Sequence, residues 1–165
     1  MAHKELLINW LNDAYSMETA LIPILENHAK DAKNYPDIQA RDQQHIEESR
    51  RHAQRVRSCI ERLGESPSTL KTGMGSLIGN MQSVMTGAFQ DELVKNCLSD
   101  FAAENFEIAS YKALIAAAQE IGDQETVLAC QENLREDEAM AQWLDQHLPI
   151  VVQETVRQKA QEHGS

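Results

Sequence analysis

Ala102-Ala103-Glu104-Asn105-Phe106-Glu107-Ile108-Ala109-Ser110-Tyr111 places two carboxylates three residues apart in a helix otherwise made of small and apolar residues. Residues at that spacing share a helix face, so Glu104 and Glu107 point where Phe101, Ile108, Tyr111 and Ile115 point, which is a core. Burying an ionised carboxylate is costly unless a cation, a proton or a set of donors compensates it. The other helices must supply that compensation.

The chain has 165 residues, the size of one domain, with only 7 Gly and 4 Pro and few aromatics, which favours an all-α protein over a sheet protein. A net charge of −11 argues against nucleic acid or an anionic membrane surface as partner and favours cations. Cys59, Cys97 and Cys130 are scattered without metal-type spacing and read as small core residues in a reducing compartment. The N-terminus lacks the apolar stretch of a signal peptide and no run is long enough to span a membrane, so a cytoplasmic protein is expected.

Apolar periodicity predicts four long helices. The first runs from about His3 to Lys33 with Glu18 in its seam, and Pro23 is expected to kink it just after Glu18. The second runs from about Pro36 to Leu63 and stops at Gly64; His45, Glu48 and His52 stack on its mid-section where aliphatic residues would be ordinary. Thr72 to Gly87, rich in Gly and Met, reads as a short, loosely held crossover helix. The third runs from about Phe89 to Ile121 before Gly122, and Asp123 caps the fourth, which extends to about Leu148 with Glu136 near the boundary of its apolar stripes. The expected organisation is a helical bundle domain over residues 1–150, followed by a polar C-terminal tail over 151–165.

Glu18, His45, Glu48, His52, Glu104, Glu107 and Glu136 each fall near the middle of a helix. In a bundle those mid-points lie at one height, so acids and imidazoles from all four helices can meet in a single layer. Taken singly, each is an ordinary edge or core residue. Together they match the ligand set of a carboxylate-bridged di-metal centre, in which Glu and His hold iron or manganese. Two divalent cations would offset the buried carboxylates; without them at least one should be protonated.

Asp13-Ala-Tyr-Ser-Met-Glu18-Thr-Ala-Leu21, His45-Ile-Glu-Glu-Ser49, Glu104-Asn-Phe-Glu107-Ile-Ala-Ser-Tyr111 and Leu134-Arg-Glu136-Asp-Glu138 form an ordered set that resembles the successive helices of the YciE/YciF family of the ferritin-like superfamily. The resemblance covers about Leu6 to Leu148. It implies a ferritin-like four-helix bundle with an additional short crossover helix, a homodimer, a di-iron centre of ferroxidase type and a place in the stress response. The sequence departs from the superfamily pattern. Glu-x-x-His is absent from the second helix, where Arg50 and Arg51 follow Glu47 and Glu48, and from the fourth, where Ala139 follows Glu136. Asn105 stands where the family has His, and His52 is a candidate substitute ligand.

Two functions follow from these residues. In the first, Glu18, Glu48, Glu104, Glu107 and Glu136 hold one or two iron or manganese ions with His45 or His52, oxygen or peroxide is the oxidant, and Tyr15 or Tyr111 serves as hydrogen-bond donor or electron source. In the second, the module is non-enzymatic and metal-free, and Arg50, Arg51 or Arg55 neutralises the carboxylates. No Ser or Cys nucleophile comes with a base and an orienting acid, which excludes the hydrolase schemes built on them.

Overall fold

Two tight turns and one long connection set the topology. The computed structural model describes residues 2–68, 78–80 and 91–163. Helix α1 spans Ala2–Asp31 and passes through a 3-10 turn, Ala32–Asn34, into α2, Pro36–Arg62; α3 spans Glu92–Glu120 and α4 spans Gln124–His163. Pro36 opens α2 where its missing N–H has no intrahelical partner to lose. Gly122 ends α3 at φ 76°, a backbone region that L side chains avoid. The Asp123 carboxylate then caps α4, accepting from the Thr126 N–H at 3.3 Å and the Thr126 hydroxyl at 2.7 Å. Arg62 binds the same carboxylate at 2.6 Å and pins the end of α2 to the start of α4.

Short turns make α1–α2 and α3–α4 antiparallel hairpins. His28 meets Asp100 and Glu18 meets Tyr111, so α1 is antiparallel to α3; His52 meets Glu136 and Arg62 meets Asp123, so α2 is antiparallel to α4. His45 lies beside Glu104 and His52 beside Tyr111, so α2 and α3 run the same way, as a crossover along the bundle requires. Of the predicted crossover helix, Ile78–Asn80 is helical and Ile78 is buried in the main core; the rest of that prediction lies outside the described residues.

One apolar cluster, including Leu7, Leu11, Val56, Ile60, Leu114 and Val127, fills the end near the α3–α4 turn. Another, built on Ala32, Ile38, Leu93, Val94, Cys97 and Val151, fills the opposite end. Each fully buried aliphatic side chain contributes roughly 1.5–3 kcal/mol of transfer free energy, so the two ends hold the bundle closed and keep water from the polar layer between them.

Three local expectations differ from the structure. Helix α1 continues unbroken through Pro23. Helix α4 does not stop before Pro149 but runs on to His163, because Val151 and Thr155 are buried and Tyr35 donates to Gln158 at 3.2 Å, packing that outweighs one missing backbone hydrogen bond. In α3, Phe101, Ile108 and Ile115 are only half-buried, and the buried seam runs instead through Asp100, Glu104, Glu107, Tyr111, Leu114 and Ala118. No helix among the described residues is long and apolar enough to cross a membrane.

Candidate metal centre

All four helices send buried polar side chains into one layer. Glu18 from α1, His45 and His52 from α2, Glu104 and Glu107 from α3 and Asp137 from α4 are each at most 2% exposed. Among them two groups could hold a cation, each with ligand atoms within 4.8 Å of one another: His45, Glu104, Glu107 and Asp137, and Glu18, His52 and Asp137. Asp137 belongs to both. The rings of His45 and His52, two turns apart on α2, stand edge to face with centroids 6.4 Å apart.

The two imidazoles are held from behind. His45 Nδ1 lies 3.0 Å from Glu48 Oε2, and Arg41 and Gln44 bind Glu48 in turn. His52 Nε2 lies 2.8 Å from Glu136 Oε2, and Arg55 binds Glu136. The second nitrogen of each ring faces the inner carboxylates without a hydrogen bond. His45 Nε2 is 2.6 Å from Glu104 Oε1 but off the hydrogen-bonding direction, and His52 Nδ1 is 3.3 Å from both Glu18 Oε1 and Asp137 Oδ1. A carboxylate behind an imidazole with the other nitrogen turned inward is the arrangement that orients histidine toward a metal.

Buried polar atoms are nearly always hydrogen-bonded. Here Glu18 Oε2, Glu104 Oε2, Glu107 Oε1 and both Asp137 oxygens have no hydrogen-bond partner, nor do the inward histidine nitrogens. These are hard oxygen and imidazole donors converging on one small volume, the donor set that suits iron, manganese or zinc. The residues therefore fit a bound divalent cation, and two such ions would satisfy the atoms left over.

Electrostatics in the cation-free protein point the same way. Burial, then the neighbouring charges of Glu104, Glu18 and Asp137, push the Glu107 carboxyl well above its usual range. Burial and the charges of Glu18 and Glu104 do the same to Asp137. Burial also raises Glu104 despite the opposing pull of His45. For His45, burial acts downward, but Glu104 and Glu48 outweigh it and favour the imidazolium. The outer carboxylates behave oppositely: burial is overcome at Glu48 by His45, Gln44 and Arg41, which hold it down to about 2, and at Glu136 by Arg55 and His52. Burial and like charge thus raise the proton affinity of the inner acids, a demand that bound cations would meet instead.

The structure brings Glu18, His45, His52, Glu104 and Glu107 together inside the bundle. It puts Glu48 and Glu136 on the outer side of the imidazoles, apart from both groups. Tyr111 is buried and donates a short hydrogen bond to Glu18 Oε1. Tyr15 is half-buried against the apolar core. Asn105, which departs from the family pattern, is exposed and donates to the Phe101 carbonyl at 2.8 Å. Arg50 is likewise turned outward, to Glu26 and Glu47. Sequence reasoning missed Asp137 and Asn133. The signal was available: Cys130, Asn133, Asp137, Met140 and Leu144 step by three and four along α4, and the polar pair interrupts that buried row.

The family described as Domain of unknown function (DUF892) matches residues 2–160. A protein from Xanthomonas campestris pv. campestris is 31% identical over 97% of this chain and 99% of its own, with a TM-score of 0.83. The Escherichia coli stress protein YciF is 21% identical over 92% of this chain and 97% of its own, with a TM-score of 0.78. A bacterioferritin from Desulfovibrio desulfuricans, described with a diiron site, is 22% identical over 90% of this chain and 82% of its own, with a TM-score of 0.73. The last two carry the ferritin-like fold alone.

Proposed function

The chain belongs to the DUF892 family, and from that membership together with the buried polar layer we propose that it is a ferritin-like di-metal carboxylate protein acting on dioxygen or peroxide in the stress response. The observation that carries the proposal is the set of unpartnered buried donor atoms on Glu18, His45, His52, Glu104, Glu107 and Asp137. His45, Glu104, Glu107 and Asp137 would hold one cation and Glu18, His52 and Asp137 the other, with Asp137 shared. Glu48 and Glu136 are assigned the task of orienting the imidazoles. Iron or manganese bound there would supply one-electron redox chemistry toward a small oxidant.

The chain's own residues do the rest. The apolar ends keep the layer dry, which strengthens every interaction with charge inside it. Tyr111 presents a phenolic proton at Glu18 Oε1, the role of hydrogen-bond donor beside the reacting centre. We propose that a second copy of the chain would cover the apolar groove of about 400 Å³ lined by Leu6, Trp10, Ala113 and Ala117, where Leu6 and Trp10 are exposed.

The metal-free alternative, in which arginines neutralise the layer, is supported only at its edge: Arg41, Arg51 and Arg55 reach Glu48 and Glu136. Elemental analysis of protein purified without chelator tests the choice. About two equivalents of iron or manganese, lost from a Glu18→Ala/Glu107→Ala variant, is the expected result. Metal content at background in the folded wild-type protein, loaded or not, would overturn it.

A further inference from the structure

Asn133 is completely buried on α4, one turn before Asp137, and both ends of its amide are hydrogen-bonded. Its Oδ1 accepts from Arg55 Nη1 at 2.9 Å, while its Nδ2 donates to the Tyr111 hydroxyl at 3.0 Å and to the His52 carbonyl at 3.3 Å. The direction of the amide is fixed twice over. A guanidinium can only donate, so the atom facing Arg55 must be the oxygen; a carbonyl can only accept, so the atom facing His52 must be the nitrogen.

With the amide so fixed, the phenolic oxygen of Tyr111 accepts a hydrogen bond from Asn133, and its own hydrogen must go elsewhere. The partner in reach is Glu18 Oε1. That bond occupies one oxygen of Glu18, and Oε2 is the oxygen left without a partner. The row from Arg55, which is partly exposed, through Asn133 and Tyr111 to Glu18 therefore has one sense of donation along its whole length.

Resting on the metal-centre reading above, we propose that Asn133 is a positioning residue that aims the Tyr111 hydroxyl at Glu18 Oε1, so that Oε1 is engaged by the phenol and Oε2 is kept free for a cation. Tyr111 then acts as a neutral phenol beside the centre and not as a ligand in it. Hydrogen bonds in such a row polarise one another, so the donation from Asn133 also strengthens the grip of Tyr111 on Glu18.

Two measurements test this. In metal-free protein, ultraviolet resonance Raman of the tyrosine Fermi doublet distinguishes a hydroxyl that both donates and accepts from one that only donates. Subtracting the Tyr111→Phe spectrum from wild type isolates Tyr111 from the other tyrosines. The expected wild-type signature is donation plus acceptance, moving to donation alone in Asn133→Leu; a donor-only wild-type signature overturns the proposal even if Asn133→Leu fails to fold, and so does an unmoved ratio in folded Asn133→Leu. In cobalt(II)-loaded protein, Tyr111→Phe frees Glu18 Oε1 and should lower the visible band intensity by about twofold as the coordination number rises, with Asn133→Leu moving it the same way by less. A cobalt spectrum that is the same in all three proteins refutes the claim about Glu18. Failure of the wild-type protein to bind cobalt at all counts against the metal centre itself, while the Raman ratio still decides the role of Asn133.

Discussion

His45 and His52 stand two helical turns apart on α2 and are mirror images in use: one turns Nε2 inward and Nδ1 to Glu48, the other Nδ1 inward and Nε2 to Glu136. With a cation bound, the outer carboxylates would thus hold the N–H of each ring and leave the lone pair of the inward nitrogen for the metal. Glu48→Ala and Glu136→Ala should each weaken metal binding by roughly 10–100-fold without abolishing it. Competition titration with a chromophoric chelator reads this directly. Complete loss of one equivalent in either variant would make that carboxylate a ligand instead.

Asp137 is the carboxylate common to both candidate groups. Asp137→Ala should therefore remove both metal equivalents, whereas Glu104→Ala should spare the position built on Glu18 and His52. Metal-to-protein stoichiometry by elemental analysis separates the two cases. Loss of a single equivalent from Asp137→Ala would show that the two positions are independent.

The contrast between Glu136 and Asp137 also marks how far the sequence can be read. The bundle, its hairpins and the caps at Gly64, Gly122 and Asp123 follow from periodicity and turn chemistry, which are local. On α2 the polar seam is equally legible, because His45 and His52 replace aliphatic residues at heptad spacing. On α4 the neighbouring acids Glu136 and Asp137 differ by one residue, about a quarter of a turn, and the apolar stripes on either side leave the choice open. Only the packing of α4 against α2 puts Asp137 inward and hands Glu136 to Arg55. The run beyond Pro149 is hidden from sequence for a related reason: Val151 packs with Ala32 and Ile38 beside the α1–α2 turn, a contact far away along the chain.

Asp42 provides a stability test away from the centre. It is buried near Asp100 and His28, and burial, with the charge of Asp100, raises its carboxyl to about 7. A raised acid is proton-bound in the folded state between its unfolded and folded values, so stability falls as pH rises from about 4 to about 7. Asp42→Asn removes that penalty. It should match wild type at or below about pH 4 and exceed it at pH 8, by at most about 4 kcal/mol for a carboxyl carried from its ordinary value to about 7. Urea denaturation at both pH values measures the difference, and equal stability at pH 8 would refute the assignment.

Protons held by the inner carboxylates give metal binding a definite pH dependence. Glu107 and Asp137 have raised affinities for protons, through burial first and like charge second, and a cation must displace them. Affinity for manganese(II) should rise with pH through the weakly acidic range, and binding should release protons. Isothermal titration in buffers of different ionisation enthalpy counts those protons. A buffer-independent enthalpy would mean that the carboxylates are already ionised in the metal-free protein.

Because unfolding scatters ligands contributed by four separate helices, a cation bound at the centre has no comparable site on the unfolded chain. Its binding must then raise the midpoint of unfolding. At a hundredfold excess over Kd the gain is about 2.7 kcal/mol, which for a chain of this size corresponds to a rise of roughly 5–11 °C in Tm. The same ion should leave an Asp137→Ala variant unmoved, since both groups lose a member. Arginine neutralisation of the outer carboxylates predicts the opposite, a wild-type Tm indifferent to iron(II) or manganese(II), because Arg41 and Arg55 are already in place beside Glu48 and Glu136 and the inner atoms would need nothing further.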